Sequence, residues 1–423
     1  MKQLLKAPVA MLLALLARSI LSKYKPKVVM ITGSVGKTTT KDAVAAALGT
    51  HYNLRASEKS YNSEFGLPLT VIGAKNPWEN PAAWFRVFQE ALALVMLPSL
   101  YPKLLVLEVG ADRPGDLARI LRIAKPDVVV VTRLPDVPVH VEAYASPQAV
   151  RDEEFAPAYA LAHGAPLVIS ADDPHARVMA ARVPADVRTF GFAKDAQVRL
   201  TDPSFFADEK GGGMTASVGQ YTVRVTGALG RPQLYAPAAA IAVALALGME
   251  IEEALTGLKE YLPPPGRARI LRGKNGTLII DDSYNASPAA VEEGLSSLTL
   301  IPDVNRKIAV LGDMLELGRY SVEEHERVGT LAAQKADILV TVGSRSRATH
   351  AAALKAGMSE DRAFSFDTSN EAAVALLDMI AERDVVLVKG SQSVRMERVS
   401  EALLLDPLDA SRLVRQEQEW KRR

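Results

Sequence analysis

The chain has 423 residues, of which 48% are apolar and 23% charged, with a net charge of +1 and no cysteine. These values exclude a disordered chain and predict two or three globular domains. The near-zero charge leaves no basic excess for nucleic acid, so no nucleic-acid partner is expected. Without cysteine there are no disulfides, thiolate nucleophiles or Cys-based zinc sites, which fits a reducing cytosol.

Lys2 and Lys6 precede an uncharged run from Ala7 to Ala17 that Arg18 closes. The run resembles a signal-peptide core, but it is well short of the about 20 apolar residues that a membrane span needs. The reading is a helix over residues 1–26 docked on the protein, with an interfacial membrane helix as the alternative. An apolar strand, Lys27-Val28-Val29-Met30, then leads into Ile31-Thr32-Gly33-Ser34-Val35-Gly36-Lys37-Thr38-Thr39-Thr40 and a helix-like stretch, Lys41 to Leu48. Strand, glycine-rich turn, Lys-Thr and helix is the arrangement that holds nucleotide phosphates. Small residues let backbone N–H groups face the anion, Lys37 supplies a point charge, and the Thr38 hydroxyl can bind Mg²⁺. Gly33, Ser34, Val35, Gly36, Lys37, Thr38 and Thr39 are therefore the candidate ATP-binding residues. The glycines stand closer together than in the general phosphate-loop pattern, which points to an ATP-dependent ligase rather than a general GTPase or ATPase.

Ser60 to Thr70 reads as a polar loop running into a helix or strand. Trp84, Phe85, Phe88, Leu92, Val95 and Met96 are spaced as one apolar face of a helix, a helical insertion at about 77–101. Glu108 ends the buried strand Leu104–Leu107, at the carboxyl edge where parallel sheets bind ligands. It can hold the same Mg²⁺ as Thr38, or it can cap the next helix. His140 follows the buried run Val128 to Val131. A lone histidine is usually structural, but a neighbouring Mg²⁺ site makes this one a candidate ligand.

Strand-length runs continue through Leu167–Ile169, Lys307–Leu311, Ile338–Val342 and Val385–Val388, alternating with helical stretches. The pattern is α/β with mostly parallel sheets; Val198 to Thr226 looks antiparallel. Leu262-Pro263-Pro264-Pro265-Gly266 stops the helices before it. The expected segments are an N-terminal apolar helix (1–26), a central ATP-binding domain (27–262) and a C-terminal domain (263–423). Arg267 stands at the presumed hinge, where an arginine can meet a phosphate once domains close. Asp281 and Asp282 follow another strand and suit a ribose or a cation, or a plain turn-and-cap role. Arg412 to Arg423 is highly charged and reads as a frayed surface helix.

Taken together, these residues resemble the Mur ligase family, most closely the branch that adds D-Ala-D-Ala to a UDP-MurNAc-tripeptide. The likeness runs from about residue 27 to 405. It is strongest at Gly33 to Lys41, Asn62 to Thr70, Leu107 to Gly115, Pro265-Gly266-Arg267, Asp281 to Pro288, Leu311 to Gly318, Val388-Lys389-Gly390-Ser391 and Arg395-Met396-Glu397. The resemblance implies a central P-loop ATPase domain with a mostly parallel sheet and a Rossmann-like C-terminal domain. It implies ATP and Mg²⁺, an acyl-phosphate intermediate and a small-molecule or peptide precursor as substrate, in the cytoplasm. Lys37, Glu108, His140 and Arg267 would be catalytic, and Asp282, Asn285 and Arg267 would contact ATP. Thr38, Glu108, His140 and Glu154 would serve the metal, and Asn62, Ser63, Lys389 and Ser391 the substrate.

Four departures stand out. Glu154 occupies the place of a lysine that the family carries in carbamylated form; a glutamate can replace that group as an anionic ligand. Pro232-Gln233…Ala236 replaces a His-Asn…Asn pattern, which puts nucleotide contacts there in doubt. The loop Thr132 to Val139 is longer than expected. Only about thirty residues precede the phosphate loop, too few for the family's uridine-nucleotide domain. The helices near residues 1–22 and 82–100 are then expected to pack together, over the protein or as a peripheral membrane patch at the inner face. Competing readings are a ligase of the folylpolyglutamate or poly-amino-acid type, and a nucleotide-binding scaffold that has lost catalysis.

Overall fold

A computed structural model describes residues 3–58, 65–77, 80–208, 212–417 and 420. The chain forms two compact units: Met1–Pro135 with Ala143–Leu200 and Tyr235–Tyr261, and Asp136–Glu142 with Thr201–Leu234 and Leu262–Arg423.

The first unit is built on six parallel strands: β1 (Lys27–Thr32), β2 (Leu54–Ala56), β3 (Leu104–Glu108), β4 (Val128–Val131), β5 (Pro166–Ser170) and β6 (Asp186–Gly191), in the order β2-β3-β1-β4-β5-β6. Every residue of β3 and β4 is buried, as is all of β1 after Lys27. That explains their unbroken apolar sequences: a parallel sheet is covered on both faces, so no alternation survives. The helices that cover it include α1 (Gln3–Tyr24), α2 (Lys37–Leu48), α3 (Gly66–Ile72), α4 (Pro81–Met96), α5 (Asp116–Ile123) and α6 (Pro147–Tyr159).

Helix α1 lies against α3, α4 and α5. It buries Ala10, Leu13, Ala17 and Ile20, one helical stripe, and the last three share a core with Val87 and Ala91 of α4. Asn80 starts α4 by accepting hydrogen bonds from the N–H groups of Ala82 and Ala83, with Pro81 at the first helical position. The helix is where periodicity places it, but the apolar residues do not share one buried face. Val87 and Ala91 are buried, Trp84, Phe88 and Val95 pack at the margin, and Phe85, Leu92 and Met96 face outward.

Strand β7 (Val198–Phe206) begins parallel to β6. In the second unit, β8 (Gly213–Val218) and β9 (Tyr221–Thr226) form an antiparallel hairpin. The main sheet of that unit holds β10 (Arg269–Arg272), β11 (Leu278–Asp282), β12 (Lys307–Gly312), β13 (Ile338–Val342), β14 (Ala363–Phe366) and β15 (Val385–Lys389), in the order β10-β11-β15-β12-β13-β14. Only β10 runs antiparallel. By contact, residues 201–234 group with this unit rather than with the central stretch 27–262. The reason is backbone pairing: Ala268 and Ile270 exchange hydrogen bonds with Leu229 and Gly227.

The tail also departs from a frayed helix. A short turn at Pro407–Arg412 leads into Leu413, Val414 and Arg415, all buried.

Candidate functional site

In the first unit the site grows from the turn between β1 and α2. Gly33 has φ 114°, and a Cβ there would sit 2.4 Å from the Thr132 hydroxyl, so only glycine fits. The turn is pinned beside β4: the Ser34 N–H donates to the Arg133 carbonyl at 2.8 Å, and Thr132 donates to the Thr32 carbonyl. Gly36, left-handed at φ 89°, caps α2 with no side-chain partner, so the first amides of α2 point into the turn without a competing acceptor. Lys37 curls back over the loop and donates to the Gly33 carbonyl at 2.6 Å. Val35 pairs with Arg133 across the turn, and Thr39 is buried, its carbonyl accepting from the Tyr261 hydroxyl.

Two carboxylates face this loop. Glu108, at the end of β3 and 3% exposed, accepts from the Thr38 hydroxyl through Oε1 at 3.0 Å, while its buried Oε2 has no hydrogen-bond partner. A buried, half-satisfied carboxylate beside a threonine hydroxyl is a donor set that suits Mg²⁺, a hard cation that takes few protein oxygens and keeps its water and phosphate ligands. Glu154, on α6, is as buried as Glu108, and its carboxylate accepts from the Ser34 hydroxyl. Thr32 donates to its backbone carbonyl, so this residue is held at the loop from two sides. Among the described residues no three His, Asp or Glu side chains gather as a ready-made metal cage. Within the first unit, Thr38 and Glu108 are the side chains in contact whose oxygens suit a metal.

Glu153, which sequence reasoning passed over, points the other way from α6. It accepts from the N–H groups of Gly115 and Leu117 and so fixes the start of α5. Consecutive helical residues are about 100° apart, so adjacent acids in one run take different tasks. Lys41 is also structural here, donating to the Ser57 carbonyl, while the Ser57 hydroxyl accepts from the Glu108 N–H.

In the second unit His140 pairs through Nδ1 with Glu316 at 2.9 Å. The hydrogen bond from His140 holds the Glu316 carboxyl below its ordinary range, against the opposing effect of burial. Both residues have left-handed backbone, φ 66° and 64°, a costly geometry for residues with a Cβ. Glu316 lies within the Leu311–Gly318 block, but its pairing with His140 was not foreseen.

Arg267 sits between Gly266 (φ 68°) and Ala268 (φ 52°) and lies over the Tyr284 ring at 4.1 Å. A Cβ at Gly266 would come within 3.0 Å of the Tyr284 N–H nitrogen, so the close approach requires glycine. Asp282 accepts from the buried Lys389 ammonium at 2.6 Å and from the Ala268 N–H. Lys389 also donates to the Asn285 carbonyl. Ser391 accepts from the Leu315 N–H at 2.9 Å. Lys389 and Ser391, expected to meet substrate, thus spend these contacts on holding the Asp282–Asn285 loop and the Leu311–Gly318 block. Asn62 and Ser63 lie outside the described residues.

Asp281 is completely enclosed; Ser400 donates to its Oδ1 at 2.8 Å and Oδ2 has no partner. Burial pushes its carboxyl up to about 6 from 3.8. A raised carboxyl stabilises the fold when protonated, and that contribution is lost as pH rises through the folded value. Asp281→Asn is therefore expected to flatten the fall in melting temperature of the wild type between about pH 4 and pH 6. Thermal melts across that interval check it; identical profiles would remove Asp281 as the cause.

A P-loop α/β unit carrying a buried carboxylate against the loop threonine is the layout of a protein that handles nucleotide phosphates. Residues 89–244 match the Mur ligase middle domain and residues 266–392 match the Mur ligase, glutamate ligase domain. The UDP-N-acetylmuramoyl-tripeptide--D-alanyl-D-alanine ligase of Mycobacterium tuberculosis is 31% identical over 90% of this chain and 73% of its own. The crystal structure of MurF ligase from Thermotoga maritima in complex with ADP superposes with a TM-score of 0.76 at 28% identity, covering 93% of this chain and 83% of that one. The folylpolyglutamate synthase of M. tuberculosis complexed with ADP shares the fold alone, at a TM-score of 0.62 and 14% identity over 92% of this chain and 95% of that one. The chain belongs to the Mur ligase family.

Proposed function

We propose that this protein joins D-Ala-D-Ala to a UDP-muramyl tripeptide with hydrolysis of ATP to ADP and phosphate. The observation that carries the reading is the Thr38–Glu108 pair at the phosphate loop, with one buried carboxylate oxygen left open. Support for the substrate comes from the 31% identity to a ligase of that name.

The reaction is two displacements. A carboxylate oxygen of the tripeptide attacks the γ-phosphorus, the bond to the β,γ-bridging oxygen breaks, and its electron pair leaves with ADP. The amine of D-Ala-D-Ala then attacks the acyl carbon; phosphate departs and the amine loses a proton to solvent. Backbone N–H groups at Gly33 to Gly36 and at the start of α2 bind the phosphates and orient them. Lys37 places its charge where the transferring phosphoryl group needs it. Thr38 and Glu108 would hold Mg²⁺, which supplies charge neutralisation at the phosphates. Ser34 is held by Glu154, which fixes the loop before ligand arrives. In the second unit, Lys389 orders the loop carrying Asp282 and Asn285 for nucleotide contact, and Tyr284 supports Arg267 as a phosphate-directed cation. ATP use places the enzyme in the cytoplasm.

Coupling assays with a panel of acceptors and donors, read by mass spectrometry, test this. The expected product is the muramyl pentapeptide, formed only when ATP, the tripeptide and D-Ala-D-Ala are all present. Addition of glutamate to a folate acceptor in its place would transfer the chain to the folylpolyglutamate type. No turnover with any pair, despite nucleotide binding, would favour the scaffold.

A further inference from the structure

The outward faces of α1 and α4 have no role in the chemistry above. On α1 the exposed side opposite Leu13 and Ala17 carries Met11 (67% exposed), Leu12 and Leu15, and then turns polar at Arg18, Ser19 and Lys23. On α4 the exposed stripe is Phe85 (64% exposed), Leu92 and Met96 (69% exposed), continued by Leu97 and Leu100. The two helices are fastened together: Lys23 donates to the carbonyls of Leu94 and Leu97 at 2.8 and 2.6 Å, and the Tyr24 hydroxyl to that of Leu94. Six large apolar side chains thus stand in water on this helix pair, and Leu97 and Leu100 extend the patch beyond the end of α4.

Charge selects among occupants. Residues 1–27 contain Lys2, Lys6, Arg18, Lys23, Lys25 and Lys27 and no acidic residue. Arg18, Lys25 and Lys27 are exposed, as are Arg86 on α4 and Lys103 just after it. Glu90 on α4 is exposed beside Arg86, but the border is otherwise basic, and an apolar face with a net basic border matches a bilayer whose surface is anionic. Ala7–Tyr24 is long and apolar enough by composition to cross a membrane, yet its Ala10–Ile20 stripe is packed on the protein. A spanning helix would have to give up that packing, whereas a helix lying in the interface keeps it.

We infer that α1 and α4 form a docking surface for an anionic lipid bilayer, which the enzyme touches peripherally through Met11, Leu12, Leu15, Phe85, Leu92 and Met96. Affinity comes from insertion of these side chains among the acyl chains near the headgroups, and lipid selectivity from the basic border.

The test is co-sedimentation of the full chain with vesicles of phosphatidylcholine containing about one-quarter phosphatidylglycerol, against phosphatidylcholine alone. The expected result is pelleting with the anionic vesicles only, weakened when 1 M salt cuts the screening length to about 3 Å. A Met11→Ser, Leu12→Ser, Leu15→Ser variant and a separate Phe85→Ser, Leu92→Ser, Met96→Ser variant should each lose about tenfold or more in partitioning. Both should keep wild-type ligation in lipid-free solution, because every substituted residue is exposed. Wild-type protein that stays in the supernatant, or variants that pellet equally, overturn the proposal. So does a doubled solution mass without lipid that the same substitutions reduce to a monomer, since a second copy would then be what covers the face.

Discussion

Lys37→Met is expected to lower kcat/KM by about 10³-fold, equivalent to about 4 kcal/mol of transition-state stabilisation. The substitution keeps the apolar stem and removes only the cation. Lys37 donates to the Gly33 carbonyl, so its ammonium is already placed over the loop before a ligand arrives. A preplaced charge costs little reorganisation as charge shifts during phosphoryl transfer, and its loss should fall mainly on kcat. Glu108→Gln is the companion change. It keeps an acceptor for Thr38 but halves the acceptor oxygens and removes the charge, so its defect should appear as a raised Mg²⁺ requirement. The measurements are steady-state phosphate release over a range of Mg²⁺ and calorimetric ADP binding. A Lys37→Met enzyme within tenfold of wild type would show that the loop cation is not a main source of rate.

The site divides into a part that sequence makes plain and a part it hides, and the division follows distance along the chain. Gly33 to Thr39 are legible because turn, cation and hydroxyl are local features that one stretch of backbone dictates. Glu108 is nearly as legible, since an acid closing a buried apolar strand has one end of the sheet to sit at. Glu154 is legible only through the resemblance, and its hydrogen bond from Ser34 is not, because the two lie 120 residues apart. What stayed hidden depends on partners far away. Nothing around Lys389 says that its ammonium is used by Asp282, 107 residues earlier. Nothing around His140 announces Glu316 or the left-handed backbone at both. Helix α4 shows the same limit in another form. Its period predicts a helix, but apolar residues stand on both faces, so the pattern does not say that the face with Val87 is buried and the face with Phe85 is exposed. The charged tail misled for a related reason: Arg415 is charged and still buried, because its acceptors lie elsewhere in the unit.

That arginine supports the largest stability prediction. Glu397 is 1% exposed and is bound by two guanidinium groups, Arg395 on Oε1 and Arg415 on Oε2, the latter at 2.8 Å. Arg415 also donates to the carbonyls of Ser283 and Tyr284, on the loop between Asp282 and Asn285. Burial lowers the pKa of Arg415 despite the neighbouring carboxylate, so the charge is held in the fold at some cost. Replacing it with methionine fills the volume but leaves the buried carboxylate with Arg395 alone and takes the Arg415 donor from two carbonyls. The expected loss is about 3–5 kcal/mol, the range for breaking one side of a buried ion pair. Adding Glu397→Gln should deepen that loss, because Arg395 then loses its carboxylate partner as well. Denaturant melts of the two single variants and the double variant give the coupling directly. If the remaining Arg395–Glu397 pair carries weight, the double variant must be less stable than Arg415→Met alone. If the two are equally stable, the ion pair contributes little, and Arg415 acts by holding the Ser283–Tyr284 loop and the Tyr284 platform beneath Arg267.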